Sequence, residues 1–206
     1  MATTSELGDR ASVLFARRRR PAEAIAAEAE TVARACHDMA QRFHLGGKLI
    51  VFGAGGTTTD AQHVSVEFVH PVIVGKRALP AISLTNDVGT VTGIAEHEGF
   101  DEIFAYQLRV LGRPDDIALG ITSHGESRPV LRGLEEAHRL GLLTIALAGG
   151  DGGAVATSDA VDHRIVVPSD DPRVVKEVHV TTYHVLWELV HVFFEHPGVL
   201  APKVVG

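Results

Sequence analysis

One cysteine, Cys36, stands alone in 206 residues, so no internal disulfide framework holds this fold and a reducing cytoplasm suits it. No apolar run approaches the roughly 20 residues that a membrane span needs. The first residues lack the charged-then-apolar layout of a secretory signal. Positive charge is also in short supply. Lys and Arg number 19 against 26 Asp and Glu, a net charge of −7, which removes any general reason to expect nucleic-acid binding. The basic run Arg17–Arg20, closed by Pro21, reads as the solvated start of a helix, because four charges alone bind nucleic acid weakly and without specificity. Two nucleotide signatures are missing as well. Gly53-Ala54-Gly55-Gly56 is not the dinucleotide fingerprint, and no GxxxxGK[ST] occurs, which disfavours nicotinamide and ordinary P-loop sites.

What is present is concentrated in Lys48–Pro71, KLIVFGAGGTTTDAQHVSVEFVHP. The apolar run Leu49–Phe52 reads as a buried strand. Gly53, Gly55 and Gly56 break it, Thr57, Thr58 and Thr59 follow, and Val64 and Phe68 recur at helical spacing. Strand, glycine turn, hydroxyls and helix make an anion cradle: glycines let the backbone approach, and the unpaired N–H groups of the first helical turn face the ligand. His63 and Glu67 are four apart, so their side chains leave one face of that helix.

The rest of the chain repeats the alternation. Residues 1–16 are mixed and polar and are expected to be poorly ordered. Ala22–Phe43 carries a helical pattern that Gly46 and Gly47 stop. Further strands are expected at Leu79–Leu84, Ile117–Ile121, Leu142–Leu147 and His163–Val167. Helices are expected at Val88–Ala95, Phe100–Leu111, around Val130–His138, and from Pro172 to about Glu195. The third strand runs into a second hydroxyl-rich turn, Thr122-Ser123-His124-Gly125-Glu126-Ser127. Short buried strands alternating with helices imply an α/β fold, a parallel sheet covered on both faces. Ligands of such sheets bind beyond the carboxyl ends of the strands, where both turns lie. The expected organisation is a tail and basic run over 1–20, one domain over 21–197 including an N-terminal helix, and a tail over 198–206.

The blocks GGKLIVFGAGGTTTDAQHVSVE, LPAISLTND, GFDEIFAYQL, RPDDIALGITSHGES, TIALAGGDGG and KEVHVTTYHVL together resemble the sugar-isomerase (SIS) superfamily, and within it the phosphoheptose isomerases. The resemblance spans about Gln41 to His196. It implies a three-layer, flavodoxin-like sandwich around a five-stranded parallel sheet. It also implies a homotetramer with active sites shared between subunits, and conversion of sedoheptulose 7-phosphate to a heptose 7-phosphate. By the same resemblance, Gly55, Gly56 and Thr57 from the first turn and Thr122, Ser123, His124 and Ser127 from the second hold the phosphate. Asp87 meets a sugar hydroxyl. Glu67 is the carbon base and His184 its acid–base partner. A lone helical glutamate or histidine is ordinarily a surface group; these two gain meaning by matching the family's positions.

The family's zinc is implied at His63, Glu67 and His184, but the family's glutamine ligand is replaced here by Lys176. An ammonium has no lone pair to coordinate with. Two outcomes follow: a three-ligand zinc site, or no metal, with the Lys176 ammonium taking the metal's place beside Glu67. The second is slightly favoured; Glu177 and His179 are expected to point off that face. His70-Pro71 and Arg173 also depart from the family's residues. The rival reading is a non-catalytic member, like the SIS proteins that bind the replication initiator DnaA. Those generally lack the glutamate and the final-helix histidine, so Glu67 and His184 favour an enzyme. His191 and His196 are expected at the surface, and Cys36 in helix packing.

Overall fold

The computed structural model describes residues 3–71 and 73–200; the end of the expected C-terminal tail, 201–206, lies outside the described residues. In chain order the elements are α1 (Thr4–Ala16), α2 (Arg19–Ala27), α3 (Ala29–Leu45), β1 (Leu49–Gly53), α4 (Thr58–Val69), β2 (Ala81–Ser83), α5 (Val88–His97), α6 (Ala105–Leu111), β3 (Ile117–Ile121), α7 (Arg128–Arg139), β4 (Leu143–Gly149), α8 (Gly153–Thr157), β5 (His163–Val167) and α9 (Pro172–Glu195). The strands form one parallel five-stranded sheet in the order β2-β1-β3-β4-β5. No helix among the described residues is long and apolar enough to cross a membrane.

Strand residues alternate between two cores, as a period of two requires. Leu49, Val51, Leu119, Ile145 and Leu147 pack beneath α3, α4 and α9, against Met39, Phe43, Phe68 and Leu186. Ile50, Phe52, Ala118 and Ala146 face α5, α6 and α7, against Ile94, Phe104, Leu108 and Leu134. Each of the larger aliphatic and aromatic side chains contributes roughly 1.5–3 kcal/mol of burial, so the sheet is a rigid floor for the turns above it.

The order places the site. From β1 the chain moves outward to β2, then crosses back to lay β3 on the other side of β1. The turns leaving β1 and β3 therefore diverge and leave a crevice at the strands' carboxyl ends. Gly53 pairs in register with Ile121, which sets the two hydroxyl-rich turns side by side.

Several expectations need correction. Residues 4–16 form a helix, not a poorly ordered tail: Thr3 and Glu6 make a reciprocal capping box. The single helix expected from Ala22 splits into α2 and α3 at Glu28 (φ −93°, ψ 20°). The helix expected over Phe100–Leu111 opens with a short 3₁₀ turn, Phe100–Glu102, before α6. Within the basic run, Arg18 is not simply solvated; its guanidinium grips Glu177 on α9 through both carboxylate oxygens.

Candidate active site

Two turns and two helices build the site. After β1, a 3₁₀ turn (Gly55–Thr57) feeds α4, with Gly55 at φ +62°, a conformation glycine adopts without strain. Gly55 and Gly56 lie exposed there. Thr57 is buried, and its hydroxyl faces the main-chain carbonyls of Ala54 (3.0 Å) and Ile121 (2.9 Å). It ties the two turns together and is not turned outward as the sequence reading expects.

In the second turn Thr122 is buried too and accepts from Gly125 N–H (3.2 Å). Gly125 has φ +76°, and a Cβ there would sit 1.9 Å from the Gly152 carbonyl oxygen, so this turn rests backbone-on-backbone against the next one. His124 is exposed, and its Nδ1 accepts from Glu126 N–H (3.2 Å). The Ser123 and Ser127 hydroxyls make no hydrogen bond among the described residues. Of the two, Ser123 lines the crevice, beside the exposed backbone of Gly55 and Gly56.

A cavity of about 210 Å³ lies between these turns and the start of α9, lined by Gly56, Thr57, Asp60, Ser123, Lys176 and His179. The Lys176 ammonium reaches Asp60 Oδ2 (2.6 Å), Thr59 Oγ1 (2.9 Å) and the Gly56 carbonyl (3.1 Å). All its donors are spent on α4's first turn and the buried Asp60 carboxylate, so it does not stand beside Glu67 in the metal's place. His179 does not point away either. It is fully buried and lines the same cavity. Its Nε2 meets the Ala148 carbonyl (3.1 Å), its Nδ1 has no partner, and burial pushes the imidazole below its ordinary range. Arg173 forms a two-pronged pair with Asp171, the α9 N-cap, and holds that carboxyl down at about 2. Asp87 is the N-cap of α5, accepting from Thr90 N–H (3.1 Å) and the Thr90 hydroxyl (2.7 Å), which hold its carboxyl below the usual range.

Further along α4 the chemistry-bearing groups meet. His63 Nε2 lies 3.1 Å from Glu67 Oε1, and His184 Nε2, arriving from α9, lies 3.9 Å from the same oxygen. The Glu67 side chain is 12% exposed against 41% and 47% for the two imidazoles, so the carboxylate lies deeper than the two rings beside it. The fourth member of the cluster is one that the sequence reading missed. The Tyr183 hydroxyl stands 2.7 Å from His63 Nδ1, and its ring meets His63 and His184 edge-on, with centroids at 5.3 and 5.1 Å. Burial and the Asp60 and Glu67 carboxylates push the phenol's pKa up. Only its place beside His184, in a chain with two tyrosines, hinted at it.

One donor atom from each of His63, Glu67 and His184 lies within 4.8 Å of the others. Two imidazoles, one carboxylate and an open position form a donor set suited to zinc. His63 has an outer partner in Tyr183, the usual arrangement for a metal-binding imidazole. These residues fit a three-ligand zinc site; Lys176 supplies no fourth ligand.

A family model described as SIS domain matches residues 15–149. The phosphoheptose isomerase of Aquifex aeolicus is 43% identical over 145 residues, 70% of this chain and 75% of that protein. That of Solidesulfovibrio magneticus is 39% identical over 175 residues, 84% of each. A solved phosphoheptose isomerase from Francisella tularensis superposes with a TM-score of 0.83 at 34% identity, covering 92% of this chain and all (100%) of the other. The chain belongs to the SIS domain family, on its phosphoheptose isomerase branch.

Proposed function

We propose that this protein is an aldose–ketose isomerase that converts sedoheptulose 7-phosphate to a heptose 7-phosphate. The observation that carries the reading is the Glu67 carboxylate, set low between the His63 and His184 imidazoles. Isomerisation moves a proton between adjacent carbons through an enediol and needs a base at carbon and a proton carrier at oxygen. Glu67 takes the proton from the carbon beside the carbonyl and returns it to the neighbouring carbon. His184, half exposed, moves the proton between the two oxygens. A zinc ion held by His63, Glu67 and His184 would supply polarisation of a substrate oxygen.

The phosphate end goes to the crevice between the turns, on the Ser123 and Ser127 hydroxyls and the first-turn N–H groups of α4 near Gly55 and Gly56. At 1.5 Å per residue, His63 and Glu67 follow about 8 and about 14 Å beyond Thr58 along the helix. The substrate would therefore lie along α4.

The same reading makes the protein a cytoplasmic homotetramer with its sites at subunit boundaries. In support, α1 buries none of its residues against the described residues of the chain, and an apolar groove of about 300 Å³ runs along α2, α3 and α9 past Ile25, Ala29, Val178 and Val185.

The test is a coupled turnover assay with sedoheptulose 7-phosphate, with added zinc and with a chelator, beside Glu67→Gln. Loss of a carbon base lowers turnover by about 10²–10⁴-fold. Glu67→Gln turnover within a few-fold of the wild type would overturn the assignment. Loss on chelation would place zinc in the reaction, and survival would leave it to the protein's own groups.

A further inference from the structure

His179 lines the cavity between the two turns and the start of α9, together with Thr57, Ser123 and Lys176. Its ring is fully buried. The Ala148 carbonyl, 3.1 Å from Nε2, can only accept, so Nε2 carries a proton. Nδ1 then holds a bare lone pair, and nothing among the described residues donates to it. A buried polar atom without a partner is uncommon enough to need a reason. The groups around the ring do not supply one. Desolvation favours the neutral form most strongly; Asp60 on α4 favours a proton and Lys176 on α9 opposes it. The Lys176 ammonium is turned to Asp60, Thr59 and Gly56. Arg173, which also lines the cavity, is held by Asp171, and β4 presents the Ala148 carbonyl.

A phosphoryl group in this cavity changes the balance twice over. Its oxygens are acceptors, which Nδ1 can meet only as an N–H. Its negative charge also favours the cationic ring. Left neutral, the imidazole would set a nitrogen lone pair against an anionic oxygen. We infer that His179 takes up a proton when a sugar phosphate binds: neutral in the free protein, it becomes an imidazolium that donates Nδ1–H toward the phosphate. The inference rests on the phosphate end lying in this crevice, as proposed above. It makes His179 a selectivity residue, because an unphosphorylated sugar brings no charge to draw the proton in. Linkage then runs both ways: the proton strengthens phosphate binding by the factor by which phosphate strengthens proton binding. Affinity for the phosphate dianion therefore declines as pH rises above neutral.

The probe is glucitol 6-phosphate, which has a phosphate and hydroxyls but no carbonyl to isomerise. Titration calorimetry at pH 7.5, in two buffers of different ionisation enthalpy, counts the protons taken up on binding. The phosphate's own second proton, with a pKa of about 6, is already off. The wild type is expected to take up roughly one proton per ligand, and its Kd to rise by up to about tenfold from pH 7.5 to 8.5. His179→Gln, whose amide can still donate to Ala148, is expected to take up none and to lose that pH dependence. Uptake unchanged in His179→Gln would put the proton on another group, such as the exposed His124, and overturn the inference. So would wild-type binding without uptake, or no binding at all. Should His179→Gln fail to fold, ¹⁵N-histidine spectra of the wild type decide, since one imidazole must pass from one N–H to two as the probe is added. Turnover of sedoheptulose 7-phosphate is read separately. Turnover without proton uptake keeps the isomerase and removes this role for His179; uptake without turnover does the reverse.

Discussion

His179 gives the most direct pH dependence at the scale of a single residue. Its Nε2–H is satisfied by Ala148, and its buried Nδ1 has no partner, so protonation would place a second N–H where the structure offers no acceptor. The folded pKa lies below the ordinary value of about 6.5; desolvation is the main cause, and the nearby Asp60 and Lys176 act in opposite directions. Below about pH 6.5 the unfolded chain therefore binds a proton that the fold refuses, and stability falls as pH falls, by at most about 1.4 kcal/mol per pH unit. Melting curves at pH 7.5 and 5.5 should show a smaller drop for His179→Gln than for the wild type. His37, raised chiefly by its bond to Asp38, works in the opposite sense and is common to both proteins. The sequence reading put His179 off the working face because it considered one helix alone. It also put His191 at the surface, whereas His191 is buried with a ring nitrogen against each of the Trp187 and Arg77 carbonyls. Cys36 does pack as expected, buried beneath α9, and burial pushes its thiol up to about 12.

At the scale of elements, α4 and α9 are joined twice, by Lys176–Asp60 near their starts and by the Tyr183–His63–Glu67 cluster farther along. Lys176→Gln would leave the Asp60 carboxylate, 4% exposed, without its cation. Breaking a buried pair costs about 3–5 kcal/mol, and with the Lys176 side chain 45% exposed about 2 kcal/mol is expected. A urea midpoint unchanged in that variant would show the tie to be slack. Both ties join residues more than a hundred positions apart, which explains what was legible in the sequence. β3, β5 and α9 stand where apolar runs and Pro172 place them, since those signals are local. His63 and Glu67 share a face because helical spacing is local too. The destination of the Lys176 ammonium and the grip of Tyr183 on His63 depend on how two distant helices cross, and neither leaves a local mark.

At the scale of the whole molecule, α1 is the conspicuous element. It is well capped, yet Leu7, Leu14 and Phe15 remain 52%, 45% and 80% exposed, because nothing among the described residues covers them. That is also why the sequence reading missed it: its apolar positions are few and have no partner within the domain. If those side chains pack on further copies, Leu14→Asp with Phe15→Asp should shift sedimentation velocity from a larger species toward the monomer without lowering the melting temperature of the isolated chain. A wild type that sediments as a monomer at micromolar concentration would refute the assembly.

The contact between Tyr183 and His63 also has a temporal meaning. Every strand of the sheet precedes α9 in the chain, and domains generally begin to fold from the N-terminus as they are synthesised. A nascent chain that has already laid down all five strands still has no Tyr183 or His184 to set against Glu67. The sheet can thus exist as scaffolding before the reactive carboxylate is armed, and arming waits on the docking of one helix. That helix carries the protein's lone tryptophan, Trp187, 5% exposed in the core, so the chain has a built-in optical clock for the moment its site is completed.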